Sequence, residues 1–114
     1  MDPIQAVQIL AALGQPTRLA VFRLLIRTDT AIAAGEIAAA LDIPRNTLSA
    51  HLAVLTRAEL VQGSRSGTNI YYQPNLSRLL ALTSFLVEGC CDGKSELCEP
   101  VLSQIRTLGL GDVE

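Results

Sequence analysis

Residues 35–55 read Gly35-Glu36-Ile37-Ala38-Ala39-Ala40-Leu41-Asp42-Ile43-Pro44-Arg45-Asn46-Thr47-Leu48-Ser49-Ala50-His51-Leu52-Ala53-Val54-Leu55, and this stretch decides the fold. Gly35 to Leu41 is a short helix and Asp42-Ile43-Pro44 a tight turn. A longer helix follows from about Arg45 to Ala58. Leu48, Leu52 and Leu55 recur at i, i+4 and i+7, which makes them its buried side. The opposite face carries Arg45, Asn46, Thr47, Ser49, Ala50, His51 and Val54. A short helix, a tight turn and a second helix with a polar, hydrogen-bonding outer face form the plan of a helix-turn-helix, here about 35–58. Residues at the N-terminal end of such a second helix meet base edges in the major groove.

Toward the C-terminus the period changes. Leu60 to Ser64 and Asn69 to Gln73 read as two strands joined by Arg65-Ser66-Gly67-Thr68, a β-hairpin wing at about 60–73. Pro74 ends the wing, and Leu76 to Val87 forms a helix that is apolar over much of its girth. In so small a chain that composition points to contact with a partner. Toward the N-terminus, Asp2-Pro3-Ile4-Gln5 is a helix start, with a capping Asp, Pro at the first helical position and Gln at the third. Ile4, Val7 and Leu10, with Ala6 and Leu13, make an apolar stripe that ends at Gly14. Pro16 opens a further helix to about Thr28, lined on one side by Leu19, Phe22 and Ile26 with Leu25 beside them. The expected architecture is mainly α with a β-hairpin wing, one domain over 1–114.

The gross numbers agree with this plan. A chain of 114 residues, 49% apolar but only 4% aromatic, favours small-residue helix packing over a β-sandwich. The net charge of −2 is unevenly spread. Residues 43–73 hold Arg45, Arg57 and Arg65 against Glu59, which is 3 − 1 = +2, while residues 88–114 hold six acidic and two basic residues, 2 − 6 = −4. A weakly basic middle beside an acidic tail is compatible with nucleic-acid binding through a local patch. The start, Met1-Asp2-Pro3, lacks the basic region of a signal peptide, and no apolar run approaches the ~20 residues of a membrane span. The expectation is a cytoplasmic chain with no membrane partner.

Several stretches together resemble the ArsR/SmtB family of winged-helix, metal-responsive repressors over roughly residues 4–87. They are Leu13-Gly14-Gln15-Pro16-Thr17-Arg18-Leu19, the helix-turn-helix, Leu48-Ser49-Ala50-His51-Leu52-Ala53-Val54-Leu55, Leu60-Val61 and the wing ending Ile70-Tyr71-Tyr72. The resemblance implies a winged helix-turn-helix homodimer that binds double-stranded operator DNA. Its dimer contact would be formed by the helices at about 3–13 and 75–87, with half-sites about one helical turn (~34–36 Å) apart. The DNA-binding residues it implies are Arg45, Asn46, Thr47, Ser49, His51, Arg65 and Thr68. Two positions depart from the family pattern: Ala50 and Thr68 stand where basic residues are frequent. Affinity is therefore expected to lean on Arg45, Arg65 and polar donors, with a modest salt slope.

All three cysteines, Cys90, Cys91 and Cys98, fall within nine positions in a C-terminal loop at 89–98. In the cytosol clustered cysteines more often bind metal or react than form structural disulfides. Three thiols without a histidine suit a soft, three-coordinate ion better than tetrahedral zinc. Gly89 before the vicinal pair and Asp92-Gly93 after it favour a turn in which both thiols converge. Ala33, Ala34 and Gly35 occupy the positions of the Cys-x-Cys found in well-known arsenic repressors. The single histidine, His51, leaves no Asp/His pair of the zinc-sensor type. The cluster resembles a subgroup of arsenic repressors with a vicinal pair and a third cysteine a few residues on. That resemblance implies As(III) as inducer, with Sb(III) or a methylated trivalent arsenical as alternatives, and no organic cofactor.

Other readings remain open at this stage. A repressor of the same fold using the thiols for redox switching, or for cadmium or lead, needs the same residues. An arsenic metallochaperone would need neither the Asn46/Thr47/Ser49/His51 face nor a wing. A thiol arsenate reductase would need a Cys-x5-Arg loop, yet six positions beyond the cysteines stand Glu96, Leu97 and Gln104, so no enzyme is expected.

Overall fold

The computed structural model describes residues 1–88; Cys90, Cys91 and Cys98, and with them the expected C-terminal loop at 89–98, lie outside the described residues. The chain divides into two compact units, one of Asp2–Asn75 and one of Met1 with Leu76–Glu114. The first unit runs α1 (Pro3–Leu13), α2 (Pro16–Arg27), β1 (Ile32–Ala33), α3 (Ala34–Leu41), α4 (Arg45–Arg57), β2 (Val61–Ser66) and β3 (Asn69–Pro74). The second contributes α5 (Leu76–Val87).

Local chemistry sets most helix ends. Asp2 caps α1: its Oδ1 accepts from Gln5 N at 2.8 Å, and Gln5 Oε1 accepts from Asp2 N at 3.2 Å, the reciprocal box expected from the sequence. Gln15 caps α2 by accepting from Arg18 N at 2.8 Å. α3 ends where Asp42 turns left-handed at φ 55° and Ile43 N donates to Ala38 O at 3.0 Å. α4 ends in the same way at Glu59 (φ 62°), with Leu60 N donating to Leu55 O at 3.0 Å. Both closures satisfy carbonyls that a helix end otherwise orphans, at the cost of a left-handed residue that is not glycine.

The core of the first unit forms where α1, α2 and α3 meet α4 and the sheet closes beside them. Leu48, Leu52 and Leu55 are 2% exposed or less, together with Val21, Leu25, Ile37 and Leu60. Burying one such side chain contributes about 2 kcal/mol, so the three leucines of α4 fix which face it turns outward.

Four expectations change. The sheet has three strands, ordered β1-β3-β2, because Ile32 and Ala33 pair with Tyr72 and Tyr71. Two residues carry no legible strand pattern; the pairing forms only because the fold brings Tyr71 and Tyr72 beside them. The wing strands reach Ser66, which pairs with Asn69, so Arg65 stands in β2 opposite Ile70 and the turn shrinks to Gly67-Thr68. Gly67 sits at φ 66°, the left-handed geometry a two-residue hairpin turn requires. On α1 the buried residues are Ala6, Ile9 and Ala12, while Ile4, Val7 and Leu10 are 73%, 64% and 45% exposed. α1 is apolar on both sides, and the alanine-bearing side allows the close approach of α2 and α4. For a related reason α2 buries Val21, Phe22 and Leu25 and leaves Leu19 exposed and Ile26 half-buried.

Candidate nucleic-acid interface

α4 begins at Arg45 after Pro44, with no side-chain cap on its first turn. Arg45, Asn46, Thr47, Ser49 and Ala50 are all exposed, and Leu48 between them is 1% exposed. Burial of the leucine row therefore forces this polar row outward. Its local bonds define what it can offer. Asn46 Oδ1 accepts from Thr47 N at 2.9 Å, which leaves the Nδ2 donors free. Ser49 Oγ donates to Arg45 O at 3.0 Å and keeps its lone pairs as acceptors. The first-turn N–H groups other than that of Thr47, with the dipole of a helix whose N-cap residue Pro44 offers no side-chain bond, favour a phosphate oxygen nearby.

Arg45 lies back over the start of α3. A Cβ on Gly35 would meet its Nη1 at 3.3 Å and its Cζ at 3.6 Å. Gly35 is thus the seat of that guanidinium, a role the sequence signals only as a glycine at a helix start. His51 stands apart from the exposed row. It is half-buried, and its Nδ1 lies 3.4 Å from Arg18 Nη1. Arg18 also donates from Nε to Ala12 O at 2.6 Å and from Nη2 to Ala11 O at 3.4 Å. A guanidinium only donates, so in this contact Nδ1 is placed as the acceptor. The pair ties the end of α1 and the start of α2 to the recognition helix, which sequence reading missed. Val54, expected on the outer face, is likewise half-buried.

The wing supplies Arg65 and Thr68, both exposed, one on β2 and one in the turn. Gly63 lets the wing close tightly, since a Cβ there would stand 2.9 Å from Tyr72 Cε1 and 3.2 Å from Ile70 Cγ2. Asn75 anchors the wing's base through N to Leu60 O at 2.8 Å and Nδ2 to Glu59 O at 3.0 Å. A polar helix row, an uncapped helix start and an exposed arginine on an adjoining hairpin are what groove recognition with backbone positioning needs.

A helix-turn-helix domain family model matches residues 13–63. The transcriptional repressor SdpR of Bacillus subtilis is 30% identical over 89 residues, covering 78% of this chain and 97% of that protein. A Mycobacterium bovis protein described as a homodimeric winged helix-turn-helix DNA-binding domain, a possible ArsR-family transcriptional regulator, shares 31% identity. Its TM-score is 0.60, over 75% of this chain and 80% of that one. The chain belongs to the ArsR family of winged helix-turn-helix transcriptional regulators. HlyU from Vibrio cholerae is a further structural neighbour of this ArsR-family chain, with 27% identity and a TM-score of 0.64 over 76% of this chain and 95% of that one.

Within the ArsR-family frame, Arg45, Asn46, Thr47, Ser49, Arg65 and Thr68 occupy exposed positions on the recognition helix and wing, and His51 occupies a half-buried one. Among the described residues no group of three or more His, Cys, Asp or Glu side chains forms a metal site. No single described helix is long and apolar enough to cross a membrane.

Proposed function

We propose that the chain is a homodimeric cytoplasmic repressor. It binds double-stranded operator DNA through α4 and the β2–β3 wing, and it leaves DNA when Cys90, Cys91 and Cys98 bind As(III). The observation that carries the DNA reading is the outward polar row of α4, held there by the burial of Leu48, Leu52 and Leu55. Dimerisation is supported by the exposed apolar residues Ile4, Val7 and Leu10 on α1 and Leu86 on α5. Exposed apolar side chains on each of these two helices are of the kind that marks an association surface.

The arsenic reading rests on the donor set. Three soft thiols fit the trigonal-pyramidal demand of trivalent arsenic or antimony, inorganic or methylated. Ligand binding drives the deprotonation of the thiols it takes. Ligand binding at these thiols alters the dimer helices and moves two recognition helices out of register with successive major grooves. Such coupling is typically worth about 1–3 kcal/mol per site.

The experiment is fluorescence anisotropy of the reduced protein on DNA from its own promoter, titrated separately with arsenite, zinc, cadmium and peroxide. Release by arsenite, lost in Cys90→Ser and in Cys98→Ser, is the expected result. Release by peroxide or cadmium with indifference to arsenite would keep the repressor and replace its signal. Absence of any operator binding would favour a metallochaperone.

A further inference from the structure

A cleft of about 500 Å3 opens between α1, the start of α2 and the last turns of α4. Four of its lining residues, Ala11, Ala12, Val54 and Ala58, are small and apolar; the other three are Gln8, Arg18 and Arg57, and none is acidic. The backbone acceptors at its α1 end are already taken, because Ala11 O and Ala12 O receive the Arg18 guanidinium. What remains is donor-rich. Arg57 is exposed in the last turn of α4, and its side chain makes no hydrogen bond or ion pair among the described residues. The volume falls within the ~300–1,000 Å3 usual for small-molecule sites.

We propose that this cleft binds a small organic anion, with its carboxylate on Arg57 and a short apolar body over Ala11, Ala12 and Val54. A guanidinium presents paired N–H donors that match a carboxylate, and the alanine methyls leave room for an aliphatic or aryl group. The site bridges α1, whose outer face carries Ile4, Val7 and Leu10, to the helix that carries the DNA-reading row. Its occupant therefore changes the α1–α4 packing that Arg18 and His51 also hold. This is a second input to the regulator, separate from the C-terminal thiols.

The test is titration of the full-length, reduced, 15N-labelled protein with benzoate, followed by amide chemical shifts. Saturable shifts clustered at Gln8, Ala11, Ala12, Val54, Arg57 and Ala58 are expected. Benzyl alcohol, with the ring but no charge, should bind about tenfold more weakly or worse. Arg57→Gln should weaken benzoate by about tenfold with the spectrum still that of the folded protein. Ala11→Leu, which fills the cleft without changing charge, should do the same. Scattered or absent shifts, or benzoate binding unchanged in Arg57→Gln, would overturn the proposal. Inorganic phosphate binding as tightly as benzoate would overturn the organic body and reduce the cleft to an anion-attracting patch. The readout uses neither DNA nor arsenic, so its failure and that of the operator reading are distinguishable.

Discussion

Replacing Arg65 by Gln should change the salt dependence of operator binding by an amount the structure sets. Arg45 and Arg65 are the two exposed cations of the recognition helix start and wing, and Ala50 and Thr68 add none. The proposed dimer would bring four guanidiniums to the phosphates. Each neutralised phosphate contributes a slope of about −0.9 to log K against log salt, so the wild-type slope should be about −3.6. Raising salt from about 50 to about 200 mM then weakens binding by roughly 150-fold. Arg65→Gln removes two of the four, leaving a slope of about −1.8 and a loss of roughly 12-fold over the same step. Arg65 is exposed on β2 opposite Ile70, so stability should change by under ~0.5 kcal/mol, checked by thermal melting. The assay is fluorescence anisotropy on operator DNA across that salt range. An unchanged slope in Arg65→Gln would refute the placement of the wing on the phosphates. A wild-type slope steeper than about −7 would show phosphate contacts beyond this face.

Leu55→Ala, at a side chain with no exposure, should cost about 2–5 kcal/mol, read as a lowered denaturation midpoint with operator affinity falling alongside. Val7→Asp places a charge on the exposed face of α1 and should shift sedimentation from dimer toward monomer; helical circular dichroism should persist, because Val7 is 64% exposed. An unshifted dimer would move the interface elsewhere. Gly63→Ala should destabilise by about 1–3 kcal/mol in a thermal melt, since the new methyl stands 2.9 Å from the Tyr72 ring and the neighbouring Ile70 also crowds it.

Local order along the chain was enough to set the helices, the cap of α1 and the outward polar row. Asp2 with Gln5, the tight turn at Asp42-Ile43-Pro44 and the Leu48/Leu52/Leu55 spacing act within a few residues, so their outcome is written in local order. The wing was legible as a hairpin from Leu60-Val61 and Ile70-Tyr71-Tyr72, although its turn is shorter than the polar run Arg65–Thr68 suggested. Of the candidate interface, the exposed residues of the recognition helix and wing were legible, and His51 was not. Its half-buried place against Arg18, 33 positions away in the chain, follows from how α2 meets α4.

Tertiary structure decided what local pattern leaves degenerate. Ile4, Val7 and Leu10 on one side of α1 and Ala6, Ile9 and Ala12 on another are both apolar, and only the close approach of α2 and α4 selects the smaller set for burial. β1 exists because two residues find Tyr71 and Tyr72 some 39 positions later, a pairing that no short window contains. Arg45 rests on Gly35 because the turn between α3 and α4 brings the two helix starts together. Helix formation depends on neighbours three and four residues apart, whereas the choice of face, the third strand and the seat of each arginine depend on which surfaces the folded chain brings into contact.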